Sequence, residues 1–254
     1  MNKKRVIENI VAPVVGVLLF IAIWYIVAAV IGIKIILPSP SDTIKGFFTL
    51  LGEKLFYVSV GRTLLRTLIG FLIAFALACL FAYLAHVVPF FKNVFAPFAV
   101  MMRVMPTISV ILLVLIWFSH AVAPYVITFF VIFPMLYTTV LNAVDNVDPA
   151  LLEMTKVYRF STKKRFFSFY LPSMLPSLLT GASITLSFSV KLTVAAEVIA
   201  YTEESIGRSM QEASMYMQTD IVLAWTLAAI LLGFLLEGGL LLIRKVIMRH
   251  YYGE

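Results

Sequence analysis

Six apolar runs, each close to or above the length needed to cross a bilayer, constrain this sequence more than any other feature. A helix needs about 20 consecutive apolar residues to span the hydrocarbon core, and none of the runs alternates as barrel strands do. We predict spans at residues 9–32, 61–86, 92–118, 121–144, 168–196 and 221–243. The sequence therefore predicts an all-α, polytopic membrane protein with six transmembrane helices.

Composition excludes a soluble domain. Charged residues make up 13% of the 254 residues, whereas soluble domains are about one quarter charged. A net charge of +7 could indicate nucleic-acid binding, but the basic residues border apolar runs and do not form a soluble basic face. We therefore expect a lipid membrane around the protein and no nucleic-acid partner.

The placement of lysine and arginine predicts the orientation of the spans, because basic residues stay on the cytoplasmic side. The first run is too long for a signal peptide and lacks a small-residue cleavage site, which predicts a retained first span. With a cytoplasmic N-terminus, the cytoplasmic segments hold Lys3, Lys4, Arg5, Lys92, Lys156, Arg159, Lys163, Lys164, Arg165, Arg244, Lys245 and Arg249. The sequence thus predicts a multi-pass inner-membrane protein with both termini in the cytoplasm.

A short helix is predicted between the first two spans. Pro38 and Pro40 would break a helix, and Ser41 or Asp42 could cap a new one. Apolar residues then recur at helical spacing on one face: Ile44, Phe47, Phe48 and Leu51. Such a helix would either lie at the outer membrane interface or pack on the bundle.

The segment 145–167, predicted to be cytoplasmic, carries the densest basic cluster. Asp148 and Pro149 are typical of a helix start, and Ser161 can cap a second helix. The first helix would share one face among Leu151, Met154, Thr155 and Tyr158. A basic loop that only sets topology and binds anionic lipid headgroups is the alternative, but two capped helices exceed what that role needs.

This segment resembles the cytoplasmic coupling loop of permease subunits of ATP-binding-cassette importers. The family pattern reads E-A-A, then a glycine, then a region with prolines. Here "EMT" at 153–155 replaces E-A-A, Arg159 stands where the glycine is expected, and "LPSMLP" at 171–176 followed by Gly181 matches the downstream part.

Further matches keep one register over residues 37–240 and resemble the branch that imports nitrate, sulfonates, taurine and related solutes. They are "LPSP" at 37–40, "RVMPTISVILLVLIWF" at 103–118, "VAAEVIA" at 194–200, "IGRSM" at 206–210 and "TD" at 219–220. Ser119 departs from the pattern, because a glycine usually follows Trp-Phe.

The resemblance implies a type I importer permease (MetI-like) fold, with one permease domain over residues 1–254, its core at 60–245 and a coupling loop at 145–167. It also implies a permease homodimer, an extracytoplasmic solute-binding protein and a separate ATPase that binds ATP and magnesium, so no cofactor is expected in this chain. The residues expected to contact the ATPase are Glu153, Met154, Thr155, Tyr158 and Arg159.

Charged residues within the spans are candidates for the translocation pathway, because burying a charge at the bilayer centre is costly. Lys191, Glu197 and Arg103 are these candidates. Lys191 could attract an anionic solute, or it could snorkel or pair with another helix for structure. For Arg103 the structural role is favoured, because an arginine beside Pro106 can satisfy the carbonyls that the proline frees.

Helix kinks are predicted at Pro106, Pro172, Pro176 and Gly181. Close helix packing is expected at Gly238 and Gly239, beside Glu237. A group at the start of the second span is expected to anchor it at the interface: Arg62, Thr63, Arg66 and Thr67.

Other functions find less support. The sequence has no G-x-x-x-x-G-K phosphate loop, no paired carboxylates, no nucleophile elbow and no H-E-x-x-H, so we expect no ATPase and no other enzyme. His86, His120 and His250 lack metal-ligand spacing, and no metal is expected. A secondary transporter would use intramembrane charges too, but two related halves would be expected; a structural scaffold also remains possible.

Overall fold

The computed structural model describes residues 11–252, apart from the side chains of Leu152, Lys156, Thr162, His250, Tyr251 and Tyr252. The predicted N-terminal charges at Lys3, Lys4 and Arg5 lie outside these residues. Its helices are α1 (Ala12–Ile31), α2 (Pro40–Leu51), α3 (Lys54–Val87), α4 (Pro89–Val104), α5 (Thr107–Trp117), α6 (Ala123–Asp145), α7 (Pro149–Val157), α8 (Thr162–Arg165), α9 (Leu171–Ala200), α10 (Ile206–Met215) and α11 (Thr219–Tyr252), with a π-helical turn at Phe166–Tyr170.

Five helical stretches are long and apolar enough to cross a membrane: α1, α3, α6, α9 with the turns before it, and α11. Helices α4 and α5 pass the same test only as a pair, and they are bent by 97° at the break between them. Counted as one broken span, the pair brings the number to the predicted six. The break lies at Pro106, which has no N–H to donate and holds Met105 in an extended conformation with ψ 129°.

The hydrophobic core lies where α3, α6 and α9 pack together. Ala74, Ala78 and Ala82 recur every four residues on α3 and are fully buried. Small side chains at this spacing let the neighbouring backbone approach closely, which is how membrane helices gain packing energy. Helix α1 contributes little to this core, since its hydrophobic side chains are largely exposed.

The bundle has two ends, which we call the α7 end and the opposite end. At the α7 end, Asp145 accepts from Lys92 Nζ at 2.7 Å and lies 3.0 Å from His86 Nδ1, which joins the termini of α3, α4 and α6. Helices α7 and α8 lie at this end, where α6 ends and α9 begins. The basic residues assigned to one side of the membrane in this region therefore share one end.

The expected cap of α2, at Ser41 or Asp42, is wrong. Ser39 is the N-cap of α2, since its hydroxyl accepts from the Asp42 N–H at 3.2 Å, and Pro40 is the first helical residue. The same hydroxyl donates to the Asp42 carboxylate and helps to hold the pKa of that carboxyl below its ordinary value. Gly238 and Gly239 have open space around them within the described chain, so the close packing expected there is not made by a helix of the same chain.

The α2 helix packs on the bundle, one of the two predicted arrangements. Gly46 faces Ala224 and Ile221 of α11, where an added Cβ would lie 3.4 Å from the Ile221 side chain. Ile44 and Phe48 remain exposed. The buried face of α2 is therefore offset from its most apolar face.

Candidate coupling and translocation site

Helix α7 begins at a pair of residues that favour a helix start, a capping aspartate followed by a proline. The Asp148 side chain accepts from the Ala150 N–H at 2.8 Å, and Pro149 is the first helical residue. Ser161 starts α8 in the same way, accepting from the Lys164 N–H at 3.4 Å. Both predicted helix starts in the segment 145–167 are found.

The end of α7 explains why the resembled family has glycine where this chain has Arg159. Arg159 adopts φ 50°, the left-handed conformation that favours glycine. The Phe160 N–H then donates to the Thr155 carbonyl at 3.1 Å, which is the six-residue closure of a Schellman C-cap. The backbone at this position therefore has the left-handed conformation for which glycine is the favoured residue, although the residue here is arginine.

Replacing Arg159 with glycine should therefore stabilise this turn. Compared with Arg159→Ala, which also removes the charge but keeps the left-handed strain, we expect a gain of about 1 kcal/mol. Hydrogen–deuterium exchange of the α7 amides should then be about five-fold slower in the glycine variant. Equal exchange in the two variants would contradict a strained left-handed turn.

The residues of α7 that are expected to contact an ATPase are not all exposed. Glu153, Met154, Tyr158 and Arg159 are exposed. Thr155 is 1% exposed and faces the bundle, so the expected common face of Met154, Thr155 and Tyr158 is wrong. Val157, which sequence reasoning missed, is 77% exposed; an apolar residue next to Tyr158 in a solvent-facing turn was the available signal.

Aromatic stacking links this surface to α9. The Tyr158 ring stacks on Phe160 with centroids 6.2 Å apart, and Phe160 stacks on Phe169 at 5.3 Å. Phe169 belongs to the π-helical turn that leads directly into α9. A displacement of α7 would therefore be transmitted through rings to the start of a membrane span.

The other predicted kink positions lie at or inside α9. Pro172 follows the π-helical turn in the first turn of the helix, whereas Pro176 lies within α9 and the helix continues through it. Gly181 has a different requirement, because a Cβ there would overlap the side chain of Thr139 on α6. Its place in the fold is a close helix contact.

Lys191 lines a cleft of about 360 Å³ between α9 and α11, together with Ser187 and Glu237. The Ser187 hydroxyl donates to Glu237 Oε2 at 2.8 Å. Lys191 is exposed, and no carboxylate of the described residues lies within ion-pairing distance of its ammonium group. The nearest described partner is the Phe188 ring, whose centroid is 5.9 Å away.

Glu197 lies in a different environment, fully buried at the opposite end. Its carboxylate accepts from Thr63 Oγ1 at 2.9 Å, from Arg66 Nη1 at 3.0 Å and from the Gly207 N–H at 3.3 Å. Arg66 also donates to the Glu203 carbonyl at 3.0 Å. The expected interfacial anchoring of Arg66 and Thr63 is therefore wrong, since both belong to a buried polar cluster.

The pairing of Arg66 with Glu197 was hidden in the sequence because 131 residues separate them. Only the packing of α3 against α9 brings them together, and no local spacing encodes that. The packing of α10 against α9 places the "IGRSM" motif against "VAAEVIA", since the Gly207 N–H donates to Glu197.

Arg103, the third pathway candidate, is exposed in the last turn of α4. The described contacts give it no hydrogen bond or ion pair, so the carbonyls freed at Pro106 are not satisfied by its side chain. None of those contacts joins any two of Lys191, Glu197 and Arg103. Across residues 11–252, no group of three or more His, Cys, Asp or Glu could hold a metal ion.

The sequence is similar to a known family of transport proteins. The family model of the binding-protein-dependent transport system inner membrane component matches residues 67–247. The protein SsuC of Escherichia coli K12, which carries the name of an aliphatic sulfonates transport permease, is 26% identical, with 90% of this chain and 88% of that protein covered. The taurine transport system permease protein TauC of the same organism is also 26% identical, covering 87% and 82%.

A solved structure shares the fold. One chain from the inward-facing conformations of the MetNI methionine ABC transporter superposes with a TM-score of 0.60 at 16% identity, covering 80% of this chain and 95% of that one. The helical bundle therefore has the fold of that transporter chain. The chain belongs to the family of binding-protein-dependent transport system inner membrane components.

Proposed function

We propose that this permease, paired with a second copy, forms the translocation pathway for a small anionic solute of the sulfonate class. Relatives named for aliphatic sulfonates and taurine support that solute class. The observation that carries the proposal is Lys191, an exposed cation without a described anionic partner in the cleft between α9 and α11.

The position of Lys191 makes its exposure costly unless something polar covers it. It lies nine residues before the end of α9, about 14 Å along the helix axis. A lysine at the centre of a membrane helix costs about 2.5–3.5 kcal/mol when it faces lipid. A water-filled pathway between two copies would remove that cost. The Lys191 ammonium group would then provide a positive charge for a sulfonate oxygen.

Coupling to ATP hydrolysis would take place at α7. Met154, Val157 and Tyr158 form an exposed apolar surface there, beside the exposed Glu153 and Arg159. A groove on an ATPase subunit would bury these side chains, and the stacked rings of Tyr158, Phe160 and Phe169 would transmit its motion to α9. ATP and magnesium would be bound by that separate subunit, and this chain would hold no cofactor.

The remaining partners follow from the same arrangement. The α7 end and both termini would be cytoplasmic, as the basic residues indicate. The solute-binding protein would dock at the opposite end, where the loop before α10 and its neighbours carry Glu203, Glu204 and Glu212. The permease would thus join an external binding protein to an internal ATPase.

Replacing Lys191 with methionine tests the pathway. In proteoliposomes that hold the whole transport complex, we expect uptake of taurine or a short alkanesulfonate to fall at least ten-fold, roughly the effect of losing one charge-assisted contact of about 1.5–3 kcal/mol. Lys191→Arg should retain most of the uptake, and Lys245→Met, on the exposed surface of α11, is the control. Full uptake by Lys191→Met would refute the proposal.

Charge on the α7 surface tests the coupling site. The double variant Val157→Asp with Tyr158→Asp should reduce the amount of ATPase subunit that co-purifies by about ten-fold or more, because desolvating two carboxylates opposes docking. Tyr216 is equally exposed but lies at the opposite end. A Tyr216→Asp variant of the permease should therefore co-purify with the normal amount of ATPase subunit. If both variants retain the ATPase, docking occurs elsewhere.

A further inference from the structure

A groove of about 780 Å³ opens at the α7 end between α3, α6 and the start of α9. Its walls come from pairs of residues four apart on each of the three helices: Cys79 and Tyr83, Val140 and Val144, Met174 and Leu178. Residues four apart lie one above the other along a helix. The groove therefore runs parallel to the helix axes, and on α3 it extends from Phe75 to Val87, about 18 Å.

The two ends of this groove differ in chemistry. Deep in the bundle its walls are apolar, whereas Lys163 and Arg165 line it at the α7 end. No described ion pair includes either cation: Asp145 pairs with Lys92 and His86, and the other acidic residues of this end, Asp148 and Glu153, form no described ion pair with Lys163 or Arg165. A long apolar channel thus ends in unpaired positive charge.

We propose that this groove binds an acyl chain of an anionic phospholipid, with the lipid phosphate at Lys163 and Arg165. The volume falls within the roughly 300–1,000 Å³ of ligand pockets. Tyr83 and Tyr170 also line it, and aromatic residues of this kind are enriched where membrane helices meet lipid headgroups. Tyr83 and Phe167 are 58% and 59% exposed, so the groove is open along its side, where an acyl chain could enter.

The lipid would bear on coupling because the groove wall includes the π-helical turn. Phe166, Phe167 and Tyr170 all line it, and this turn joins the stacked rings of α7 to α9. A bound acyl chain would fill the space behind the π-helical turn and would thereby restrain the movement of this turn relative to α3. The site lies away from Lys191, so it does not depend on the proposed solute.

Native mass spectrometry of the purified full chain tests this proposal. With phosphatidylglycerol and phosphatidylcholine of the same acyl chains at equal concentration, we expect about ten-fold higher occupancy by phosphatidylglycerol. The double variant Lys163→Gln with Arg165→Gln should bind both lipids equally. The matched double variant Lys245→Gln with Arg249→Gln, at the same end of the bundle, should keep the preference.

An additional variant and two displacement experiments test what occupies the groove. Val144→Phe should lower the occupancy of both lipids by filling the channel, and its unchanged thermal unfolding would show that it is folded. Equal binding of the two lipids by the unmodified chain, or a preference kept without Lys163 and Arg165, would overturn the proposal. Displacement by glycerol phosphate alone would also overturn it, as a headgroup site, and displacement by taurine would assign the groove to the solute.

Discussion

Replacing Glu197 with alanine should lower the free energy of unfolding by about 3–5 kcal/mol, the cost of removing one partner from a buried ion pair. Glu197 is fully buried and the Arg66 side chain is 8% exposed. Without the carboxylate, the guanidinium would keep only carbonyl partners, and the Thr63 hydroxyl and the Gly207 N–H would lose their acceptor. Unsatisfied buried groups carry most of that cost.

Unfolding of the purified chain in detergent micelles would measure this effect. Arg66→Met combined with Glu197→Met should be less destabilising than Glu197→Ala alone, because it leaves no buried charge. Glu237→Ala is the control: that carboxylate has a single described hydrogen bond, from Ser187, so we expect a loss of about 1 kcal/mol. A Glu197→Ala variant as stable as this control would show that the pair contributes little.

Gly207→Ala should be comparably harmful, for a steric reason. A Cβ at this position would lie 2.5 Å from Glu197 Cβ and 2.6 Å from the Val194 carbonyl oxygen and the Val198 nitrogen. Because two of these neighbours are backbone atoms of α9, no side-chain rotation can relieve the overlap. Helix α10 would have to move away from α9, which we expect to cost about 3 kcal/mol.

A matched substitution separates this overlap from the ordinary effect of glycine in a helix. Gly61 lies in α3 with open space around it, so Gly61→Ala should stabilise the helix by about 1 kcal/mol. The same unfolding measurement on both variants should thus give shifts of opposite sign. A Gly207→Ala variant as stable as the unmodified chain, or more stable, would mean that α10 moves away from α9 without strain.

Together, these two residues describe how the opposite end of the bundle is held. Glu197 from α9 bonds to α3 through Arg66 and to α10 through the Gly207 N–H. Gly207 allows the approach that makes the second bond possible. The cluster joins three helices at the end opposite α7, so a rotation of the bundle between two states would have to carry or break it.

Local chemistry accounts for what the sequence predicted correctly. The apolar runs led to the spans, and the capping residues Asp148 and Ser161 led to the starts of α7 and α8, since each depends on residues within a few positions. Family resemblance added the coupling segment, and the left-handed backbone of Arg159 shows that its geometry persists where the expected glycine is absent. The predicted caps of α2, Ser41 and Asp42, are two and three residues away from the actual cap Ser39, because several neighbouring polar residues could cap equally well.

The sequence by itself determined that this protein is a helical membrane protein, where its spans lie and which segment interrupts them, because hydrophobic length, charge placement and capping act locally. Only the tertiary structure decided which polar residues become buried partners and which remain open. Arg66 and Glu197 are distant in sequence and meet only when α3 packs on α9, whereas Lys191, on that same α9, remains in an open cleft. The reason is geometric: a charge in a membrane helix takes its role from the side of the helix on which it lies, and packing alone determines what that side faces.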